Sequence, residues 1–158
     1  MRPPNLLFDL SLLHVGGSQG GIKPALTNAI QFLCRTERLK LLILAREDVW
    51  LELSESIRNR CKWFNAREIK SFVAARVGAD LVFSPFGVAH QACPGIPNLV
   101  CIADLLHRDF PDSLSPETIR IREEEFQSAV DCADMLMTFS EHARSRISQV
   151  YEIDAKKT

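Results

Sequence analysis

Short apolar runs that alternate with stretches of helical periodicity constrain the fold of this chain most strongly. Six runs predict strands, and most of them are apolar on both faces, as in strands buried inside a parallel sheet. They are Leu6–Leu10, Leu41–Ala45, Lys62–Phe64, Asp80–Pro85, Leu99–Ala103 and Met135–Phe139. Because helical segments separate these runs, we predict an α/β fold, namely a Rossmann-like parallel sheet with helices on both faces.

The segments between the strands carry apolar residues at helical spacing. The clearest stripe follows the first strand and consists of Ile22, Leu26, Ala29, Ile30 and Leu33. Four more helices are predicted at Val49–Ile57, Ile69–Val77, Ser115–Ala133 and Ser140–Val150. Ser115 and Ser140 are suited to cap helix starts, and Gly78 is suited to end the helix before it.

Composition is that of a soluble globular protein. The chain has 158 residues, of which 46% are hydrophobic and 25% are charged, so a single domain can bury a core. The formal net charge of -1 provides no basic field for nucleic acid. No apolar run approaches the ~20 residues that span a bilayer, and the amino terminus lacks the layout of a secretion signal. We therefore expect a cytoplasmic protein.

The cysteines predict neither a disulfide framework nor a metal site. Their number is odd, none forms a C-x-x-C pair, and a zinc site needs closely spaced paired ligands. We predict buried, reduced thiols. The cysteines are Cys34, Cys61, Cys93, Cys101 and Cys132, of which Cys34, Cys101 and Cys132 lie in apolar surroundings.

A glycine cluster, Gly16-Gly17-Ser18-Gln19-Gly20-Gly21, follows the first predicted strand. Ligands of parallel sheets bind beyond the carboxyl ends of the strands, and a helix start offers free N–H groups to an anion. The spacing does not match G-x-G-x-x-G, and no Gly-Lys-Ser/Thr follows. We therefore expect no dinucleotide cofactor. The loop is predicted to contact a phosphate or a sugar, with a flexible connection as the alternative.

A second cluster, Ala103–Pro111, follows the fifth predicted strand and contains two carboxylates, an imidazole and a guanidinium. Asp104 can orient a sugar hydroxyl, while His107 and Arg108 can bind an acceptor or a phosphate. The alternative is a surface loop with solvated charges, in which Asp104 caps a turn. His90 lies in a predicted loop at the same edge of the sheet.

The order of these motifs resembles the amino-terminal domain of retaining glycosyltransferases with the GT-B fold. This group includes many bacterial enzymes that build lipopolysaccharide and other surface glycans. The resemblance covers nearly the whole chain, most clearly residues 79–151. Besides the glycine-rich first loop, it rests on residues 79–85, 96–105, 107–111, 133–141 and the helix that ends at Val150-Tyr151.

The resemblance implies two Rossmann-like domains that face a cleft. Residues 1–158 would form the acceptor-side half, and the natural chain would continue past Thr158 for about another domain. That carboxyl-terminal domain would bind the nucleotide sugar, which is a substrate, so no cofactor is expected. The implied acceptor is a glycan or a lipid-linked sugar, and peripheral contact with the inner membrane is compatible with it. The implied activity is retaining hexosyl transfer, which residues 1–158 alone should lack.

The resemblance also suggests roles for residues. Asp104 matches the aspartate of the family's His-Asp pair, but Ala103 replaces the histidine, and His107 is the candidate substitute. Ser140 and Glu141 match a serine-glutamate helix start at the cleft edge. We predict Asp104 and His107 as catalytic residues. The predicted substrate-binding residues are Gly16, Gly17, Gly20, Gly21, His90, Arg108, Ser140 and Glu141.

Two glutamate pairs have the spacing of the family's E-x7-E motif, which belongs to the donor-binding domain. They are Glu47 with Glu55 and Glu117 with Glu125. Glu117 and Glu125 lie along one predicted helix without a glycine between them, so we interpret both pairs as chance. The replacement at Ala103 keeps a second function open, a non-catalytic Rossmann-like module that binds a glycan or a partner.

Overall fold

The computed structural model describes residues 2–16, 21–68, 72–154 and 157–158. Within them, six parallel strands form one sheet in the order β3-β2-β1-β4-β5-β6. This architecture confirms the predicted α/β, Rossmann-like fold. The strands are β1 (Asn5–Asp9), β2 (Lys40–Ala45), β3 (Lys62–Asn65), β4 (Leu81–Ser84), β5 (Asn98–Cys101) and β6 (Met135–Met137).

Helices connect most of these strands, and a short 3₁₀ turn lies at Pro111–Ser113. The helices are α1 (Ile22–Thr36), α2 (Glu47–Glu52), α3 (Glu55–Arg58), α4 (Val73–Val77), α5 (Leu106–Asp109), α6 (Pro116–Cys132) and α7 (Glu141–Val150). Among the described helices, none is long and apolar enough to cross a membrane.

The two faces of the sheet pack against different helices, because successive strand residues point to opposite sides. On one face, Phe8 and Ile43 pack with Leu26 and Ile30 of α1, and α2 and α3 extend this core. Trp50 of α2 stacks on Trp63 of β3, with ring centroids 5.9 Å apart. The opposite face is covered by α4 at β1, β2 and β4, and by α6 and α7 at β5 and β6.

The predicted helix caps are confirmed. Ser115 Oγ accepts a hydrogen bond from the N–H of Thr118 at 3.1 Å, and Ser140 Oγ accepts one from Ala143 at 3.1 Å. Each bond satisfies a donor that the first helical turn leaves free. Gly78 ends α4 with a φ of 72°, a left-handed conformation that glycine adopts without strain.

Three local predictions differ from the structure. The helix predicted over Val49–Ile57 is divided between α2 and α3, because Leu53 and Ser54 are extended. Of the helix predicted over Ile69–Val77, the described part is helical only from Val73, and residues 69–71 lie outside the described residues. Residues 106–109, predicted as a loop, form α5.

The five cysteines are free thiols. Cys101 is buried as predicted, but Cys132 is exposed and Cys34 is half-buried. The prediction of a buried thiol is therefore wrong for Cys132. The reason is helical phase, since the buried side of α6 contains Phe126, Ala129 and Val130, and Cys132 lies off that stripe.

Strand order reverses between β1 and β4, and this reversal fixes where a ligand can enter. The connections after β1 and β4 leave the sheet in opposite directions, so a crevice forms beyond the carboxyl ends of the strands. The connection after β1 and the loop after β5 both start at this edge.

Candidate functional site

A cleft of about 660 Å³ lies at the carboxyl edge of the sheet. Its walls come from the start of α1, the loops after β4, β5 and β6, and one side of α6. The described lining residues are Gly21, Ile22, Ala25, Pro85, Phe86, Gly87, Cys101, Ala103, Asp104, Arg122, Glu125, Phe126 and Phe139. Its position agrees with the general location of ligand sites in open parallel sheets.

Gly87 allows the loop after β4 to pack directly against α6. Its φ is 72°, and its N–H donates to the carbonyl of Cys101 at 2.9 Å. A Cβ atom at this position would lie 2.4 Å from Cε1 of Phe126. Only glycine therefore combines this backbone conformation with the close approach of the Phe126 ring.

Asp104 lies in the cleft, at the end of the segment that follows β5. Its Oδ1 accepts a hydrogen bond from the N–H of Leu106 at 2.9 Å, and Nη1 of Arg122 lies 3.9 Å from the same oxygen. The side chain is nevertheless 62% exposed. Asp104 therefore caps the turn that begins α5 and still presents a carboxylate to the cleft, so the two alternatives from the sequence are compatible.

The first turn of α1 contributes positive charge to the same cleft. Gly21 is its N-cap, with no side-chain cap bond in the described structure and no acidic residue in the first turn. The free N–H groups of a helix start carry a partial positive charge that favours anions. Together with Arg122, this end of α1 can bind a negatively charged group, while Asp104 and Glu125 can accept hydrogen bonds from hydroxyls.

His107 lies behind the cleft wall and does not line it. Its side chain is fully buried, and its ring meets that of Phe126 edge-on, with centroids 5.1 Å apart. Nε2 lies 3.2 Å from Oε2 of Glu123. Burial lowers the pKa of His107, an effect that Glu123 partly opposes. The structure thus places His107 behind Phe126, outside the residues that line the cleft.

Arg108 is held by Glu123 outside the cleft lining. Its Nε donates to Glu123 Oε2 at 2.9 Å, a second hydrogen bond joins the same groups, and the guanidinium lies 5.4 Å from the ring centroid of Tyr151. The hydrogen bonds from Arg108 hold the pKa of Glu123 below its ordinary value. Arg122 occupies the cleft instead. Sequence reasoning missed it, although it lies one helical turn before Phe126 on the predicted helix.

Of the four glycines predicted to bind substrate, the two that the structure describes have different positions. Gly21 lines the cleft. Gly16 is exposed, has a φ of 89°, and directs its N–H to Glu52 Oε1 at 3.4 Å. Gly17 and Gly20 lie outside the described residues.

The remaining predicted residues, Ser140, Glu141 and His90, do not line the cleft. Ser140 Oγ is used as the cap of α7, and Glu141 pairs with Arg144 at 3.4 Å while 78% exposed. Their neighbour Phe139 forms part of the wall. His90 is exposed on the connection between β4 and β5.

Asp9 is a further polar residue at this edge that the sequence analysis did not single out. It is buried at the end of β1, and its Oδ1 accepts a hydrogen bond from the N–H of Ser11 at 2.9 Å. Burial raises the pKa of its carboxyl, while Ser11 and the nearby His90 oppose the shift. The available signal was an aspartate inside an otherwise apolar strand. Among the described residues, no three His, Cys, Asp or Glu side chains are grouped as metal ligands.

The comparisons with known proteins agree with the fold. No family model matches the chain, and no curated protein matches it. Among solved structures, the chain resembles a protein assigned as a UDP-N-acetylglucosamine 2-epimerase from Listeria monocytogenes, with a TM-score of 0.53 and 13% sequence identity. The match covers 97% of this chain and 43% of that protein. The chain therefore spans less than half the length of its structural neighbour, and the likeness shows a shared Rossmann-like fold.

Proposed function

We propose that this chain is the acceptor-binding domain of a nucleotide-sugar enzyme, specifically a retaining glycosyltransferase. The cleft is the observation that carries this proposal. It combines a carboxylate at Asp104, a guanidinium at Arg122 and the uncapped start of α1 at the ligand-binding edge of the sheet. The structural neighbour, whose name includes a UDP-sugar substrate, supports the nucleotide-sugar part of the proposal.

Each wall of the cleft has a separate task in this proposal. Asp104 accepts a hydrogen bond from an acceptor hydroxyl, and Arg122 with the start of α1 binds a negatively charged group. Phe139, which is 52% exposed, offers an apolar surface to a sugar ring. A donor-binding partner domain supplies the nucleotide sugar. The phosphates of that nucleotide sugar stabilise the positive charge that develops on the transferred sugar.

A second candidate is a sugar-nucleotide epimerase domain, and the name of the structural neighbour is the observation that favours it. The two activities give different products. A transferase lengthens a glycan or lipid-linked acceptor, whereas a 2-epimerase inverts one carbon of the sugar nucleotide without an acceptor. Incubating the longest natural chain with UDP-N-acetylglucosamine, with and without acceptors, separates them. A well-folded chain that gives no product with any nucleotide-sugar donor would favour the non-catalytic binding module.

Binding of simple probes tests the cleft directly. In amide NMR spectra, methyl glycosides and inorganic pyrophosphate should shift the signals of Gly21, Ile22, Gly87 and Ala103. Replacing Arg122 by alanine should weaken pyrophosphate binding about tenfold, the effect of losing one charge-assisted hydrogen bond. The Asp104→Asn variant should weaken glycoside binding by about threefold to tenfold, because the amide is a poorer acceptor.

Matched variants outside the cleft serve as controls. Arg120 lies on α6 like Arg122, is paired with Glu124 at 2.8 Å and does not line the cleft. Asp112 is exposed in the 3₁₀ turn beyond α5. Arg120→Ala and Asp112→Asn should bind both probes as the unchanged chain does. Shifts scattered over the surface, or equal losses in cleft and control variants, would contradict the assignment of this cleft.

A further inference from the structure

Two charged residues occupy helix ends that disfavour their sign. Lys23 lies in the first turn of α1, where the helix dipole favours an anion. Glu52 is the last residue of α2, where the dipole favours a cation. Neither charge stabilises its own helix, so contacts with other parts of the chain must account for both positions.

The two charges bind each other. Lys23 Nζ donates a hydrogen bond to Glu52 Oε2, in a salt bridge whose side chains are only 25% and 32% exposed. This contact holds the pKa of Glu52 below its ordinary value. The unfavourable charges at the two helix ends therefore neutralise one another across the space between α1 and α2.

The second oxygen of Glu52 binds the backbone of Gly16, the first residue of the glycine cluster. Glu52 Oε1 accepts a hydrogen bond from the N–H of Gly16 at 3.4 Å. One carboxylate thus contacts Gly16, in the connection after β1, and Lys23, in the first turn of α1. Gly21 and Ile22, which line the cleft, lie between these two anchors.

We propose that Glu52 is a positioning residue for the cleft, because its contacts with Gly16 and Lys23 fix where α1 begins. Glu52 does not line the cleft, and it acts through the backbone of Gly21 and Ile22. The inference rests on the proposed function in one respect: the N–H groups that Glu52 places are those that bind the ligand's negatively charged group.

The test removes both anchors without changing the net charge. The double variant Lys23→Met/Glu52→Ala loses one positive and one negative group, so a change in affinity cannot come from net charge. The control is Arg120→Met/Glu124→Ala, which removes a salt bridge of the same charges from the exposed side of α6. Amide hydrogen exchange at Gly16 and at Ala25, whose N–H bonds to the carbonyl of Gly21, reports on the anchored segment. Titration with inorganic pyrophosphate reports on the cleft.

In the Lys23→Met/Glu52→Ala variant, amide exchange at Gly16 and Ala25 should accelerate about tenfold, and pyrophosphate should bind about tenfold more weakly. The single variant Glu52→Ala should give nearly the full acceleration, because it removes both contacts. Lys23→Met leaves the contact between Glu52 and Gly16 in place, so it should accelerate exchange less at Gly16. The control should change neither measurement. Exchange rates that equal those of the unchanged chain would overturn the role of Glu52. If the unchanged chain binds no pyrophosphate, the anion contact of the proposed function fails, while the exchange rates still decide the role of Glu52.

Discussion

Replacing Gly87 by alanine is expected to lower the free energy of unfolding by about 2–4 kcal/mol. Two costs add at this position. The backbone has a φ of 72°, which is strained for any residue with a Cβ atom. The new methyl group would also lie 2.4 Å from Cε1 of Phe126, so the ring or the loop after β4 must move. Urea denaturation of the two proteins measures the difference.

Gly95 provides a matched control for this substitution. Its φ is 81°, but an added Cβ would meet no atom within 4 Å. Gly95→Ala therefore carries only the backbone cost, about 1–2 kcal/mol, and the excess at Gly87 measures the contact with Phe126. Adding Phe126→Leu to Gly87→Ala should recover part of that excess. Equal losses at Gly87 and Gly95 would show that the close approach of Phe126 is not a constraint.

Truncating His107 to alanine is expected to destabilise the chain by about 2–4 kcal/mol near neutral pH, in the range of other large buried side chains. The imidazole is fully buried and packs edge-on against Phe126, so its removal leaves a cavity behind the cleft wall. His142→Ala, at an exposed position in the first turn of α7, should change stability by less than about 0.5 kcal/mol.

The cost of His107→Ala should become smaller as the solution is acidified. Burial lowers the pKa of His107 in the folded chain below its ordinary value of about 6.5. As the pH falls below the ordinary pKa, the imidazole of His107 binds a proton in the unfolded chain but stays neutral in the folded chain. The unchanged protein therefore loses stability as pH falls. The alanine variant lacks this loss. Unfolding free energies measured at about pH 8 and about pH 5.5 should therefore differ less between the two proteins at the lower pH. A difference in unfolding free energy between the two proteins that stays constant, or grows as pH falls, would contradict a lowered pKa of His107.

The strands and long helices could be predicted because they depend on local patterns. Leu41–Ala45 is apolar at every position, which suits a strand covered on both faces, and Ser115 with Pro116 is a strong helix start. The division between α2 and α3 could not be predicted in this way. The apolar spacing from Val49 to Ile57 fits one continuous helix, and the break depends on the extended backbone at Leu53 and Ser54. The start of α5 depends on the Asp104 carboxylate, which accepts a hydrogen bond from the backbone N–H of Leu106.

The candidate site was predicted in outline because the edge of a parallel sheet is set by topology. Gly21 and Asp104 follow buried strands, and the structure brings both to one cleft. Which of the nearby charged residues faces that cleft depends on tertiary packing. Arg108 and Arg122 have the same chemistry, but Glu123 binds Arg108 and leaves Arg122 in the lining. His107 is withdrawn by its contact with Phe126, nineteen positions further along the chain.

The stacked indoles of Trp50 and Trp63 have a consequence for spectroscopy. They are the only tryptophans in the sequence, and both lie at the β3 end of the sheet, whereas the cleft opens over β4, β5 and β6. Intrinsic tryptophan fluorescence therefore reports on the packing of α2 against β3. Loosening of α6 around Phe126 can leave this emission unchanged while the backbone circular dichroism already decreases. Comparing the two signals during unfolding thus reveals whether the cleft wall and the opposite edge of the sheet melt together.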